Sequence, residues 1–460
     1  MDAHISLTAN SSLSSFPSVG LFSFRFAPGR IMRTTHQLIC PISNAMSKVC
    51  LLLAFVLSLV INPCGRASEK STFDVEKETR TYLDRIPRDK KAQSDAYFQG
   101  GYWLQLWSFV GGAAIAALLV QGRISARMRD LAQRLTRFKP LQTGLYAVQY
   151  IIVTAILSFP LSVYSDFFRE HHYGLSNQDF GGWLGDWAKG LLVSLILGSL
   201  VMMALFGIVR RLQRTWHIWG ALVALAFLVF IIVIGPVYIA PLFNKYTILN
   251  DAKVVDPILR LARANGIAAD KVYEMDASKQ SKRVSANVSG FLGTMRITLN
   301  DNLLNRCSLP EIEAVMGHEM GHYVMNHVLK MLLFSGILVV AGFALLRWGI
   351  ERLLARYGAR WRISGVGDVA VTPVAVFVFS AYLFVLTPFT NSFIRMQEFE
   401  ADMFGLNTAR QPDGMAEAAL KLGEYRKMEP GPIEEWVFFD HPSGAMRIRT
   451  AMRWKAENLP

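Results

Sequence analysis

Charge is scarce in this 460-residue chain: Asp, Glu, Lys and Arg make up 18% of it, against 52% hydrophobic residues. A length that could hold two or three soluble domains therefore has to be tested first as a membrane protein. Acid is scarcer than base, with 35 Asp and Glu against 48 Lys and Arg. The resulting charge of +13 does not indicate a nucleic-acid partner, because the basic residues lie in short loops between apolar runs. Cysteine is scarce too. Of four, Cys40, Cys50 and Cys64 fall in or before an N-terminal apolar run, and Cys307 is left alone, which excludes a disulfide framework and leaves the compartment open. There is no internal repeat, and low complexity is confined to a Ser-rich start.

What is present is a series of uncharged runs, each near the length a helix needs to cross about 30 Å of hydrocarbon. They are Tyr102–Gln121, Gly144–Ser165, Gly190–Val209, Ile218–Phe243, Met331–Leu346 and Val369–Ile394. An earlier run, "CLLLAFVLSLVINPCG" from Cys50, is shorter and ends near the small-residue "GRA"; it reads as a signal peptide or a further span. The expected organisation is a leader over 1–67, a membrane domain over 68–243, and a third part over 244–460 interrupted by spans at 331–352 and 369–394.

Three loops are strongly basic: Arg123–Lys139, Arg210–Arg214 and Arg347–Arg362. The loop Asp166–Lys189 is net acidic. These signs alternate consistently across the six runs, so the basic loops all lie on the cytoplasmic side. The polar stretches Asn244–Lys330 and Arg395–Pro460 then share the other side. The expected location is a bacterial inner membrane with the catalytic domain on the non-cytoplasmic face.

Within the first polar stretch, "DAKVVDPILRLARANGI" has helical periodicity through Val255, Ile258, Leu259, Leu261 and Ala262. "GTMRITLN", Gly293–Asn300, alternates like a strand. "SLPE" supplies Ser308 as N-cap, Glu311 three residues on and Pro310 in the first turn, which predicts a helix from about Leu309 to Lys330. That helix carries "VMGHEMGHYVMNH". His318 and His322, four apart, share one face and can reach one ion, with Glu319 beside it. This is the HExxH pattern of zinc hydrolases, in which the glutamate acts as general base on the water that attacks a peptide carbonyl. Gly317 and Gly321 would let another element approach that helix closely. His327, five positions after His322, points off the ligand face and reads as an ordinary residue or one that supports a ligand from behind.

A catalytic metal needs a third protein ligand. Glu398 and Asp402 in "RMQEFEADMFG" share a helical face, so the first could bind the metal while the second holds a ligand histidine by its other ring nitrogen. Glu400 points elsewhere. In "DHPSGAMRIRTAMRWK", His441 and Arg447 offer a neutral donor and a fixed cation, either of which could stabilise an oxyanion.

From about Tyr102 to Arg449 the chain resembles the type I CAAX prenyl endopeptidases, integral-membrane zinc metalloproteases. The likeness rests on "FPLSVYSDFFREHHYGLSNQDFGGWLGDWAKG", "IAPLFNKYTIL", "RITLNDNLL", "GHEMGH", "EFEAD", and "HP" with an arginine six residues after the histidine, in that order. It implies one Zn2+ per chain on His318, His322 and Glu398, with Glu319 as base and His441 and Arg447 as substrate and transition-state contacts. It also implies an all-α integral membrane protein, a barrel of about seven transmembrane helices around a water-filled chamber, with a mainly helical metalloprotease domain carrying a short β-hairpin or edge strand.

Two departures stand out. Where the family carries Asn–Ala–Tyr before the strand, this chain reads Ser285, Ala286, Asn287, so Asn287 or the strand backbone is expected to make the missing substrate contact. The charge pattern also sets the site away from the cytosol, unlike eukaryotic relatives. The expected function is thus hydrolysis of peptide bonds in membrane-associated or exported proteins, with protein or peptide substrates and the lipid bilayer as partners and no nucleic acid. A non-catalytic scaffold or transporter, and a hydrolase of non-peptide bonds, are the competing classes; an inactive relative would have no reason to keep His318, Glu319, His322 and Glu398 together.

Overall fold

The apolar runs form long helices. A computed structural model describes residues 73–289 and 295–459, so the expected leader and its signal peptide or first span lie outside the described residues. After a short helix α1 (Val75–Leu83) come α2 (Arg88–Gln121), the amphipathic α3 (Ile124–Leu135), α4 (Lys139–His172), α5 (Phe180–Arg211) and α6 (Trp216–Leu242). At 1.5 Å per residue, α2 is about 50 Å long, well beyond the hydrocarbon thickness. Its polar first turns therefore stand clear of the lipid and dock on the rest of the molecule. Ser94 Oγ donates to the Arg426 carbonyl at 3.0 Å, and Tyr102 stacks on Phe438 with ring centres 3.8 Å apart.

The lipid-facing sides stay apolar and exposed, as at Trp103, Ile156, Leu192, Leu222 and Leu333. Only 6% of the most apolar window of α6 is buried, an amount of bare hydrocarbon that water would not tolerate over a whole helix.

The polar segment after α6 holds a sheet of four strands, β1 (Tyr246–Ile248), β2 (Val272–Met275), β3 (Ala286–Ser289) and β4 (Arg296–Asn300), in the order β1-β2-β4-β3. β2 and β4 are parallel, while β1 and β3 pair antiparallel on either side. This is more sheet than the single strand or hairpin expected from sequence, and only the Arg296–Asn300 part of the expected strand pairs among the described residues. Ile258 and Ala262 of α7 (Ala252–Ala264) pack with Val288, Ile297 and Leu299 in one apolar core.

A short helix α8 (Asp301–Arg306) leads to α9 (Leu309–Val324), which opens with the expected Ser308–Glu311 capping box. Contrary to expectation, α9 does not run to Lys330. Asn326 adopts a left-handed conformation, φ 54°, which an α-helix cannot continue through, and a new helix α10 (His327–Trp361) begins.

The expected span Val369–Ile394 is likewise broken. α11 (Thr372–Val385) and α12 (Thr387–Ala409) belong to two arms that meet at 55° where Pro388 enters, because proline cannot donate to the preceding turn. The described residues thus contain five helices able to cross a membrane, or six if the bent pair counts as one. Helices α13 (Pro412–Leu422), α14 (Pro432–Phe438) and α15 (Gly444–Asn458) close the chain over α9 and α12.

Candidate metal centre

Two helices meet with glycine on both sides of their closest approach, and that contact makes the site. A Cβ on Gly405 would lie 2.8 Å from the His318 nitrogen, and one on Gly317 would lie 3.1 Å from the Gly405 backbone. Gly321 sits as closely against Ala401 and Phe404. The glycines cost helix propensity of about 0.8–1 kcal/mol each, and in return α9 and α12 approach near enough for their short polar side chains to converge.

What converges is two imidazoles and one carboxylate. His318 Nε2 and His322 Nε2 are 3.1 Å apart, and each is 3.3 Å from an oxygen of Glu398. All three ligand atoms lie within 4.8 Å of one another. Ligands about 2.0–2.1 Å from a tetrahedral zinc are about 3.3 Å apart, so the donor set fits that ion.

The other ring nitrogens are tied. His318 Nδ1 is 2.7 Å from Asp402 Oδ1, and a carboxylate only accepts, so Nδ1 carries the proton and Nε2 presents its lone pair. His322 Nδ1 is 2.9 Å from His327 Nδ1, whose Nε2 is 3.1 Å from Glu400 Oε2. Glu400 therefore fixes the tautomer of His327, which accepts from His322 and leaves the His322 Nε2 free to ligate. Lys330 holds Glu400 in turn at 2.6 Å.

Glu319 lies beside the cluster, 7% exposed, with its Oε2 buried and unpartnered. Burial pushes its carboxyl up to about 7, with the Glu398 charge adding to the rise and His318 opposing it. Burial lowers the His322 imidazole. In His318 burial acts the same way but is outweighed by Asp402 and Glu398, which push it up to about 10.

Arg447 reaches Glu398 Oε2 at 3.0 Å and Asp402 Oδ2 at 3.0 Å. His441 Nε2 is 3.3 Å from Glu398 Oε2, and its Nδ1 is 2.7 Å from Asp440. Asp440 is a residue that sequence reading missed, although an acid directly before a site histidine is a usable signal. A cavity of about 100 Å³ joins these groups, lined by Ser285, His318, Glu319, Glu398, His441 and Arg447 among others. Ser285 thus reaches the cavity. Asn287, in β3 opposite Thr298, keeps its side-chain oxygen buried and unpartnered. Cys307 also lines the cavity, its thiol pushed up to about 11 by burial.

Residues 249–455 match the model of Peptidase family M48, and residues 74–245 match that of the CAAX prenyl protease N-terminal region with five membrane helices. The chain belongs to the M48 peptidases. Among M48 relatives it is 29% identical to the uncharacterized metalloprotease YhfN of Bacillus subtilis, over 75% of this chain and 80% of that one. It is also 29% identical to CAAX prenyl protease 1 of Saccharomyces cerevisiae, over 66% and 70%. The crystal structure of S. mikatae Ste24p superposes with a TM-score of 0.69 at 20% identity, covering 91% of this chain and all of that one, which shows the shared fold. The protein is therefore a multi-pass membrane metalloendopeptidase acting on peptide bonds, and its family implies a metal, generally zinc.

Proposed function

We propose that the chain holds one zinc ion on His318, His322 and Glu398 and cuts membrane-associated or exported proteins. The observation that carries this reading is the convergence of two imidazole nitrogens 3.1 Å apart and a carboxylate with one oxygen 3.3 Å from each, beside a second buried carboxylate, Glu319, with an oxygen to spare. When bound, zinc acts as a Lewis acid and brings the pKa of a bound water to about 7.

Glu319 takes the proton of the attacking water and returns it to the leaving nitrogen, a task suited to a carboxyl poised near neutrality. Asp402 and His327 keep the two ligand imidazoles in their binding tautomer. Arg447 neutralises Glu398 and Asp402 and keeps their carboxylates apart from each other's charge. His441, oriented by Asp440, offers its Nε2 to the oxyanion. Among the described residues β3 is an edge strand of the sheet, and an extended substrate would pair with its backbone, with Ser285 or Asn287 supplying the side-chain contact.

Purified Glu319→Gln protein is expected to keep its zinc while cleavage of an unbiased peptide library falls about 10²–10⁴-fold. Zinc retained with unchanged cleavage would refute the assignment of the base. For orientation, the three basic loops gather at one end of the bundle, which supports a catalytic domain on the non-cytoplasmic side of a bacterial inner membrane. In a variant lacking the native cysteines, Asn250→Cys should react with an impermeant maleimide added outside the cytoplasm. Labelling only from the cytosol would reverse the topology and restore a CAAX-type substrate.

A further inference from the structure

A second concavity lies where α5 and α6 meet the sheet, and it shares no lining residue with the cavity at the metal centre. It is an open cleft of about 450 Å³ lined by Lys189, Phe243, Lys245, Tyr246, Lys279 and Arg296 among others. All its charged lining residues are basic. Lys189 immediately precedes the apolar run of α5 and Lys245 follows that of α6, so both mark the level at which the chain leaves the hydrocarbon on the catalytic-domain side.

The cations differ in how they are held. Lys189 pairs with Asp186 at 2.9 Å and Lys279 with Asp276 at 3.1 Å, both lysines being exposed. Arg296 and Lys245 have no carboxylate within ion-pair distance among the described residues. Arg296 is nonetheless fixed in place. Its guanidinium lies over the rings of Tyr246 and Tyr273, 4.3 and 5.5 Å from their centres, and donates to the Pro236 carbonyl at 3.4 Å. An arginine held rigidly by aromatic faces, beside an unpaired lysine, is a pre-organised fork for phosphate oxygens.

The α6 wall of the cleft is apolar, with Pro241, Leu242 and Phe243 in its lining. Up the chain from them, Val237 and Tyr238 are 58% and 70% exposed, and Phe230 and Val233 are exposed in part, so α6 carries bare apolar surface towards the cleft. A ligand that fits this surface carries an anionic phosphate for the cations and hydrocarbon for the helix face. We infer that this cleft binds the headgroup of an anionic phospholipid from the leaflet next to the catalytic domain, with Arg296 and Lys245 on the phosphate and the acyl chains along α6.

The test is native mass spectrometry of the full chain in detergent, titrated with phosphatidylglycerol or phosphatidylcholine, with inorganic phosphate as competitor. Saturable uptake of phosphatidylglycerol in preference to phosphatidylcholine is expected. Lys245→Gln and Arg296→Gln should each weaken it about fivefold, the worth of one interfacial cation. Arg356→Gln, an exposed cation at the far end of α10, should leave it unchanged. Lys245 is exposed, so its variant keeps the fold even if loss of Arg296 perturbs β4. Parent-like affinity in both variants, an equal loss in Arg356→Gln, or full displacement by inorganic phosphate would each overturn the proposal.

Discussion

Two polar clusters sit at the two ends of α10, about 50 Å apart along that helix. At its Trp361 end, three arginines that reach between helices each find an acceptor. Arg129 donates to the Arg362 carbonyl at 2.8 Å and pairs with Asp368 at 2.5 Å, Arg123 reaches the Arg360 carbonyl, and Arg210 reaches the Gly367 carbonyl and Thr143. Asp368 also caps the Ala370 and Ser364 nitrogens. At the His327 end, by contrast, two ring nitrogens and a carboxylate face one point with nothing of the protein between them, and a buried oxygen of Glu319 has no partner. In the first cluster the named arginines and Asp368 satisfy one another and the backbone groups around them, and so join helices. The second is complete only with a cation, and that difference separates a structural set of charges from a chemical one.

The contrast can be broken most severely by Glu398→Ala. Loss of a ligand that also anchors Arg447 should remove the metal and lower cleavage by more than about 10³-fold, since polarisation by the ion is worth several kcal/mol; metal content by mass spectrometry checks the cause. A smaller effect is expected for Asp402→Ala and His327→Ala, which free a ring nitrogen while leaving all three ligands in place. Zinc affinity, read by competition with a chelator, should fall about 10–100-fold in each. The smallest effect on chemistry belongs to the other end. Arg129→Ala should leave zinc affinity and cleavage unchanged while the thermal midpoint drops, because the buried Asp368 loses a charged hydrogen bond worth about 1.5–3 kcal/mol. Lost zinc in that variant would erase the distinction between the ends.

Much of the centre was legible because it depends on helical spacing. His318 and His322, and likewise Glu398 and Asp402, are four residues apart, and a helix places such pairs side by side whatever surrounds them. The glycines at 317 and 321 also announced a close neighbour, though Gly405 on the opposing helix did not stand out. What escaped the sequence depended on single backbone choices. The left-handed turn at Asn326 swings His327 back against His322, a contact that an unbroken helix would not allow. Pro388 within an apolar run read as part of one span and instead bends it by 55°. β1 and β2 have three and four residues, too few for alternation to register, and they exist because β4 gives β2 a partner and β2 gives one to β1. Asp440 gained its role only from the fold of the loop before α15.

The order of the parts along the chain has a bearing on when the enzyme becomes dangerous. α9 supplies His318, His322 and the proposed base Glu319, yet Glu398 comes after two further apolar segments, and Arg447 comes later still. A nascent polypeptide emerging into the bilayer would expose an incomplete set of ligands until α12 had been threaded back against α9. With the ligands proposed here, assembly of the blade is thereby deferred to the end of synthesis.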